Sequence, residues 1–361
     1  MTGNHLYRRI ASDLSGMIAS GALKPGDQVP SVPALRGQYG VSHITVLHAF
    51  KKLASCGQIS KERGRGYFVT SPAAALPDTI GCLMRGISAL KHDHYYNEIM
   101  HGIQKESAAH GYDLLFSRMP QDIVSGSQTA LDTVLRVATS MNDRCKGLLL
   151  DERINDEQVE QIMKVFKRPV VIVDRQTRLP INAVTSDFQR GFDQIFATLL
   201  RMGYDRLVFC DSGTASYMNA QRKECFMNLV GRHRLSDAQY GIIPKYSVDP
   251  WEATSARLEQ QLERSRPGRA AILACTDNEA RGLCDYLLSH GYKLSVEVAV
   301  IGVMGNGFVD NAKPELSTLK LDSVGIGEQA AKVLMAELNN EAGHSPQNHL
   351  LPANFVFGET I

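Results

Sequence analysis

The sequence predicts an α/β protein in two unequal parts: a small basic unit of three helices and a β-hairpin, then a large two-lobed unit, each lobe a doubly wound parallel sheet. Three observations carry this. Residues 1–72 hold nine Lys/Arg against three Asp/Glu, while the whole 361-residue chain is nearly balanced at a formal +1, so positive charge is gathered where a polyanion can be met. From residue 80 onward, short apolar runs alternate with longer amphipathic stretches, as parallel strands covered by helices on both faces do. With 43% apolar and 21% charged residues, at about 150 residues per domain, the chain has material for two or three globular domains.

The elements follow in order. Leu6, Ile10, Leu14, Met17 and Ile18 recur at helical spacing until Gly21, with Pro25 and Gly26 beyond, which predicts a first helix. Ser31 can cap a short second helix carrying Leu35 and Tyr39, and Gly40 supplies a tight turn before Ser42, which can cap a third. Two helices joined by about four residues have helix-turn-helix spacing. The third helix buries Val46, Phe50 and Leu53, stops near Gly57, and leaves a polar and basic face. Residues 59–61 and 67–69 alternate around Glu62, Arg63, Gly64, Arg65 and Gly66, a hairpin with a basic tip. The unit reads as a winged helix-turn-helix over residues 1–70.

Lys24-Pro25-Gly26-Asp27, Pro30-Ser31, Tyr39-Gly40-Val41-Ser42, Thr45-Val46 and Arg63-Gly64-Arg65-Gly66-Tyr67-Phe68-Val69 occur in one order over nearly all of residues 5–70. In this the segment resembles the DNA-binding domain of GntR-type bacterial transcription regulators. It departs from that pattern at Ser31-Val32-Pro33, His43 and Leu47, where the family commonly places arginines. For a DNA-binding unit, Ser42, Arg36, Lys51 and Lys52 are expected at phosphates. His43, Ile44, Thr45 and His48 are expected at base edges in the major groove. Arg63 and Arg65 on the glycine-flexed tip suit a minor groove.

Residues 71–79, rich in Ala and Pro, read as a linker. Strands are then expected at 80–84, 113–118, 147–150 and 169–173, with helices near 95–110, 128–139 and 156–166 between them. The pattern restarts with a helix near 188–202, a strand at 206–210, a helix near 220–231, a strand at 270–274, a helix near 279–290 and a strand at 298–301. We expect a first lobe of about 80–182 and 318–345, and a second of about 183–317 and 346–361.

Tyr95-Tyr96 followed by His101-Gly102-Ile103, Lys146-Gly147, residues 169–174, Asp187 with Gly191, Gly203-Tyr204, residues 222–226, Asp277, Ile301-Gly302 and residues 314–319 stand in an order that resembles the effector-binding domain of LacI-type regulators. That domain is itself similar to periplasmic sugar-binding proteins, and the likeness covers residues 79–361. A GntR-like head on a LacI-like body resembles hybrid regulators of the arabinose-repressor type. The resemblance implies effector contacts at Tyr95, Tyr96, Asp174, Arg222 and Asp277. Ligands in such sheets bind at strand C-terminal ends, where a carboxylate and a guanidinium can clamp hydroxyls and an aromatic face can cover a sugar. Either tyrosine can equally be core, Asp277 can cap a helix, and Arg222 can pair with Glu224 or Asp211. Met304 and Thr276 stand where the family usually has Asp and Asn, which widens the effector to a modified or phosphorylated sugar, an oligosaccharide or none.

Other chemistries find no pattern. The seven cysteines form no CxxC pair and read as reduced, mostly buried thiols. His92, Asp93 and His94 have no further spaced ligand set, so no metal is expected. Gly302, Gly305 and Gly307 lack a P-loop Lys-Ser/Thr, and Ser212-Gly213 lacks a nucleophile elbow; no cofactor and no enzymatic activity are expected. The longest apolar runs fall far below the ~20 residues of a membrane span, and no signal-peptide stretch follows Arg8 and Arg9, so the cytoplasm is expected. The functional expectation is a ligand-responsive transcriptional repressor that binds operator DNA as a homodimer. Its affinity would be set by a sugar or sugar derivative between the lobes. The alternatives are a regulator with a degenerate, non-binding sensor, or a sugar-binding protein with an incidental head.

Overall fold

The computed structural model describes residues 6–55, 58–62, 65–69, 77–85, 94–214, 216–246, 249–305, 312–339 and 345–361. The chain divides into two compact units, Met1–Leu76 and Pro77–Ile361. In the first, α1 (Leu6–Ala19), α2 (Val32–Tyr39) and α3 (His43–Ser55) precede an antiparallel hairpin of β1 (Ile59–Glu62) and β2 (Gly66–Val69). Their apolar stripes meet in one core of Ile10, Leu14, Leu35, Val46, Phe50, Leu53, Ile59 and Val69. The turn chemistry is as the sequence dictates. Ser31 Oγ accepts the Ala34 N–H at 3.3 Å, and α2 ends on Gly40 at φ +62°, whose N–H donates to the Arg36 carbonyl at 3.0 Å. Both hairpin strands run one residue further toward the tip than the alternation predicts. A third segment joins them: the N–H of Val29 donates to the Tyr67 carbonyl and that of Val69 to Asp27, both at 2.8 Å, so the chain before α2 edges the wing. Arg63 and Gly64 of the tip, and Cys56 and Gly57, lie outside the described residues.

The second unit contains two six-stranded sheets. The first lobe orders β13 (Asn348–Leu351), β7 (Asn182–Ser186), β6 (Val170–Val173), β5 (Gly147–Leu150), β3 (Thr79–Met84) and β4 (Asp113–Arg118), all parallel. Helices α4 (His94–Ala109) and α11 (Ser323–Leu338) cover one face, α5 (Gln128–Met141) and α6 (Asp156–Val165) the other. Period-two alternation divides each strand between them: Leu149, Val171 and Val173 face α4 and α11, while Leu148, Leu150 and Ile172 face α5 and α6. The second lobe orders β14 (Ala353–Val356), β12 (Ser317–Leu321), β11 (Val298–Met304), β10 (Ala270–Ala274), β8 (Arg206–Cys210) and β9 (Tyr240–Ile243), parallel except for β14. Its faces are covered by α7 (Phe188–Arg201) and α8 (Tyr217–Arg232), and by α9 (Trp251–Glu263) and α10 (Asp277–Ser289).

The chain crosses between lobes three times, each time at a single residue: Asp187 between β7 and α7, Asp322 between β12 and α11, and Pro352 between β13 and β14. Both aspartates cap the helix that follows, Asp187 accepting the Arg190 N–H at 3.1 Å and Asp322 the Gly325 N–H at 2.9 Å. The Asp187 N–H donates to the Leu351 carbonyl at 2.7 Å, tying two crossings together. These crossings correct the expected lobe boundaries. Strand β7 belongs to the first lobe although the division was placed at 183. Strand β12 belongs to the second although 318–345 was given to the first, and β13 returns to the first although 346–361 was given to the second. Strand pairing, invisible in a single short run, decides all three.

Candidate nucleic-acid surface and ligand cleft

In the first unit, α3 exposes the side on which recognition was expected. Ser42 Oγ accepts the Thr45 N–H at 3.3 Å and shares a hydrogen bond with Thr45 Oγ1 at 2.9 Å, fixing the helix start. His43, Ile44, His48, Lys51 and Lys52 are exposed and Thr45 is half-buried, while Val46, Phe50 and Leu53 face the core. Ile44, a large apolar residue, is 65% exposed. An isoleucine left in water on a polar helix face is the kind of group that meets a thymine methyl. Arg36 is exposed on α2. Arg65 is exposed beside the tip with its guanidinium 5.0 Å from the Phe68 ring, and its carbonyl accepts from Gln28 Nε2 at 2.7 Å.

In the second unit a cavity of about 680 Å³ lies between the two sheets. Its walls are the residues just past strand C-terminal ends, where parallel sheets bind ligands. The first lobe supplies Arg85 after β3, Glu152 and Arg153 after β5, and Tyr96 from α4. The second supplies Ser212 and Thr214 after β8, Asn219 and Arg222 from α8, Cys275 and Thr276 after β10, and Met304 closing β11.

The first-lobe wall is an ion-paired block. Arg85 Nη2 meets Glu152 Oε1 at 2.7 Å and Arg85 Nε meets Asp151 Oδ2 at 3.3 Å, while Arg153 Nε meets Asp151 Oδ1 at 3.0 Å. The Arg85 guanidinium lies 3.2 Å from the Tyr96 ring centre, and the Tyr96 hydroxyl donates to Glu152 Oε1 at 3.4 Å. Burial and the neighbouring Asp151 push the Glu152 carboxyl up; against the same burial, Arg85 and Arg153 hold Asp151 below its ordinary value.

Of the five predicted effector residues, Tyr96 and Arg222 stand on the cavity wall. The expectation for the other three is corrected. Tyr95 is buried behind the wall, its hydroxyl donating to Asp174 Oδ1 at 2.7 Å. Asp174 directly follows β6 at φ +70° and is 1% exposed, and burial pushes its carboxyl up to about 8. Asp277 is 0% exposed and turned toward β11 and β12, accepting from the Thr318 hydroxyl. Thr276, not Asp277, caps α10, accepting the Glu279 N–H at 3.2 Å while Glu279 Oε2 accepts the Thr276 N–H at 3.0 Å. Arg222 pairs with neither Glu224 nor Asp211 among the described residues: its Nη1 donates to the Cys275 carbonyl, and Asp211 is taken by Lys223 at 2.8 Å.

Sequence reasoning missed Arg85, Glu152 and Arg153. A signal existed, since Asp151-Glu152-Arg153 follows the wholly apolar 147–150 directly, and charges at the C-terminal end of such a strand have nowhere to go but the cleft or each other. His92 and Asp93 lie outside the described residues. All six described cysteines are buried and free. Among the described residues no helix is long and apolar enough to cross a membrane.

Comparison with known proteins agrees with both units. Residues 6–69 match the bacterial regulatory proteins of the gntR family, and residues 196–361 match the periplasmic binding protein-like domain. The arabinose metabolism transcriptional repressor of Geobacillus stearothermophilus is 22% identical over 340 residues, covering 91% of this chain and 90% of that protein. Among solved structures, the transcriptional regulator CelR in complex with cellobiose superposes with a TM-score of 0.65 at 14% identity, covering 92% of this chain and 100% of that one. The lac repressor dimer bound to operator and an anti-inducer gives 0.65 at 18% identity, covering 80% and 95%. The chain thus joins a DNA-binding domain that matches the gntR family to a periplasmic binding protein-like domain, the combination found in hybrid regulators similar to the arabinose repressor.

Proposed function

We propose that this protein is a transcriptional repressor that holds operator DNA as a homodimer and releases or tightens it when a sugar or sugar derivative fills the cleft. The observation that carries this is the cleft itself. A cavity of about 680 Å³ is walled from both lobes by charged, hydroxyl and aromatic side chains at strand ends, and the chain passes between the lobes at three single-residue crossings. A ligand touching both walls favours one lobe arrangement, and by linkage its affinity and that for DNA change together.

On DNA, the exposed face of α3 enters the major groove. His43, Ile44, Thr45 and His48 lie toward base edges, with Ser42, Arg36, Lys51 and Lys52 at phosphates and the wing arginines at the minor groove. Two heads are needed because one small winged helix covers too little DNA for tight specific binding. The protein acts by binding, with no catalytic step. Enrichment of duplexes from a random pool by the full chain, followed by gel retardation, tests the reading. An enriched palindromic site is expected, with Ile44→Ala lowering affinity for it, and losing less or nothing on variants of the site in which the contacted thymine is replaced. Enrichment of nothing, by protein that melts cooperatively, would discard it.

A further inference from the structure

The second-lobe wall of the cleft carries a guanidinium that makes no ion pair among the described residues. Arg222 is 3% exposed, its Nη1 donates to the Cys275 carbonyl, and its Nε and Nη2 are buried without a hydrogen-bond partner. Beneath the guanidinium, 5.2 Å away, is the ring of Phe188. Asp174, the acid whose charge would reach Arg222 from the first lobe, is raised by its burial to about 8 and is therefore mostly neutral at pH 7. A guanidinium taken out of water without a counter-charge is costly, and a ligand that brings the charge recovers that cost.

The rest of this wall is mostly neutral and polar. Ser212, Thr214 and Thr276 present hydroxyls, the Asn219 amide N–H donates to Asp211 at 2.8 Å, and Glu279, also on this wall, accepts the Thr276 N–H in the capping box. Met304, at the end of β11, offers a thioether where an acid would repel an anion. The opposite wall has different chemistry. There Arg85 and Arg153 are matched by Asp151 and Glu152, and Glu152 Oε2 is a buried acceptor with no partner, placed for a sugar hydroxyl.

We propose that the cleft takes an acidic sugar, a polyol bearing a carboxylate or phosphate, with the anionic group on Arg222 and the hydroxyls toward Glu152. The inference rests on the reading of this cleft as the effector site and names the ligand class. Both anions fit a guanidinium with two free N–H groups, and the cavity is large enough for a hexose with one such substituent.

The test uses the full chain, with melting temperature and calorimetric titration as readouts at one ionic strength. Sodium D-gluconate, sodium D-glucuronate and D-glucose 6-phosphate are compared with D-glucose and D-glucitol, so that the acids separate carboxylate from phosphate. At least one acid is expected to raise the melting temperature saturably while its neutral counterpart does not. Arg222→Met should weaken that acid roughly ten-fold to over a hundred-fold, the loss of a charge-assisted hydrogen bond. Met304→Asp should weaken it similarly by setting a carboxylate on the wall. Met304 is half-buried at the end of β11, so this substitution disturbs less packing than Arg222→Met and gives a second reading if that variant does not fold. Neutral sugars that bind while the acids do not would overturn this proposal and leave the effector reading standing. Acid binding that survives both substitutions would also overturn it. If no sugar of either charge binds, both readings fall.

Discussion

Asp174 shows what one buried residue can contribute to the behaviour of the whole. It sits at positive φ, 1% exposed, receiving the Tyr95 hydroxyl on Oδ1 while Oδ2 has no partner; burial favours the protonated acid and outweighs the Tyr95 hydrogen bond, which favours the carboxylate. Its folded value of about 8 lies above the unfolded one. Between about pH 4 and 8 the native state therefore holds a proton that the unfolded chain has released, and stability falls as pH rises through that window before flattening. Asp174→Asn keeps an acceptor for Tyr95 and removes the titration. Relative to the wild type it should gain stability with rising pH, by up to about 1.4 kcal/mol per pH unit inside the window. Denaturant unfolding of both proteins at pH 5 and pH 8 measures this. A constant difference between them would mean that Asp174 is ionised in the native state. Residue identity alone marked Asp174, Tyr95 and Asp277 as interesting, but not that all three face inward; that depends on the strand ends and helix starts they occupy.

At the scale of elements, legibility followed periodicity. Helices α1, α3, α5 and α6 and strands β3, β5, β6, β8 and β10 announce themselves by apolar spacing or unbroken apolar runs. Strands β7, β9, β12, β13 and β14, and helix α9, were not expected. Asn182-Ala183-Val184-Thr185-Ser186 and Asn348-His349-Leu350-Leu351 have no pattern of their own and become strands because a neighbour offers an unpaired edge. Helix α9 is mostly polar, burying Thr254, Leu258, Gln261 and Leu262. Helix α11, equally unforeseen, makes the closest approach in the first lobe. A Cβ added at Gly327 would stand 2.0 Å from the Ile99 carbonyl, and one at Gly102 would stand 2.1 Å from that of Val324. The two glycines let α4 and α11 cross backbone on backbone, so neither helix can yield by a rotamer change alone. Gly327→Ala should destabilise the protein by about 1–3 kcal/mol or more, read as a lower denaturation midpoint. An unchanged midpoint would show that the helices part at little cost.

For the molecule as a whole, the division of labour is written in the charge. Residues 1–72 carry nine Lys/Arg against three Asp/Glu, so duplex binding should weaken with salt, the log-log slope being about −0.9 per phosphate neutralised. A slope near zero would remove DNA from the account. In the proposed function the second unit binds its ligand between lobes whose three crossings occupy one residue each. Residues at these crossings, Asp187 and Asp322 among them, change lobe partners within a single peptide, which is why sequence patterns located the lobes but not their borders. The central claim is that this cleft and the winged helix are energetically coupled. It is tested most directly by titrating an enriched operator duplex with the full chain at fixed salt, in the absence and presence of whichever panel sugar stabilises the cleft. The apparent Kd is expected to shift about five-fold to 150-fold, and the shift to be lost together with ligand binding in Arg222→Met. Identical operator curves, with the ligand demonstrably bound, would contradict it.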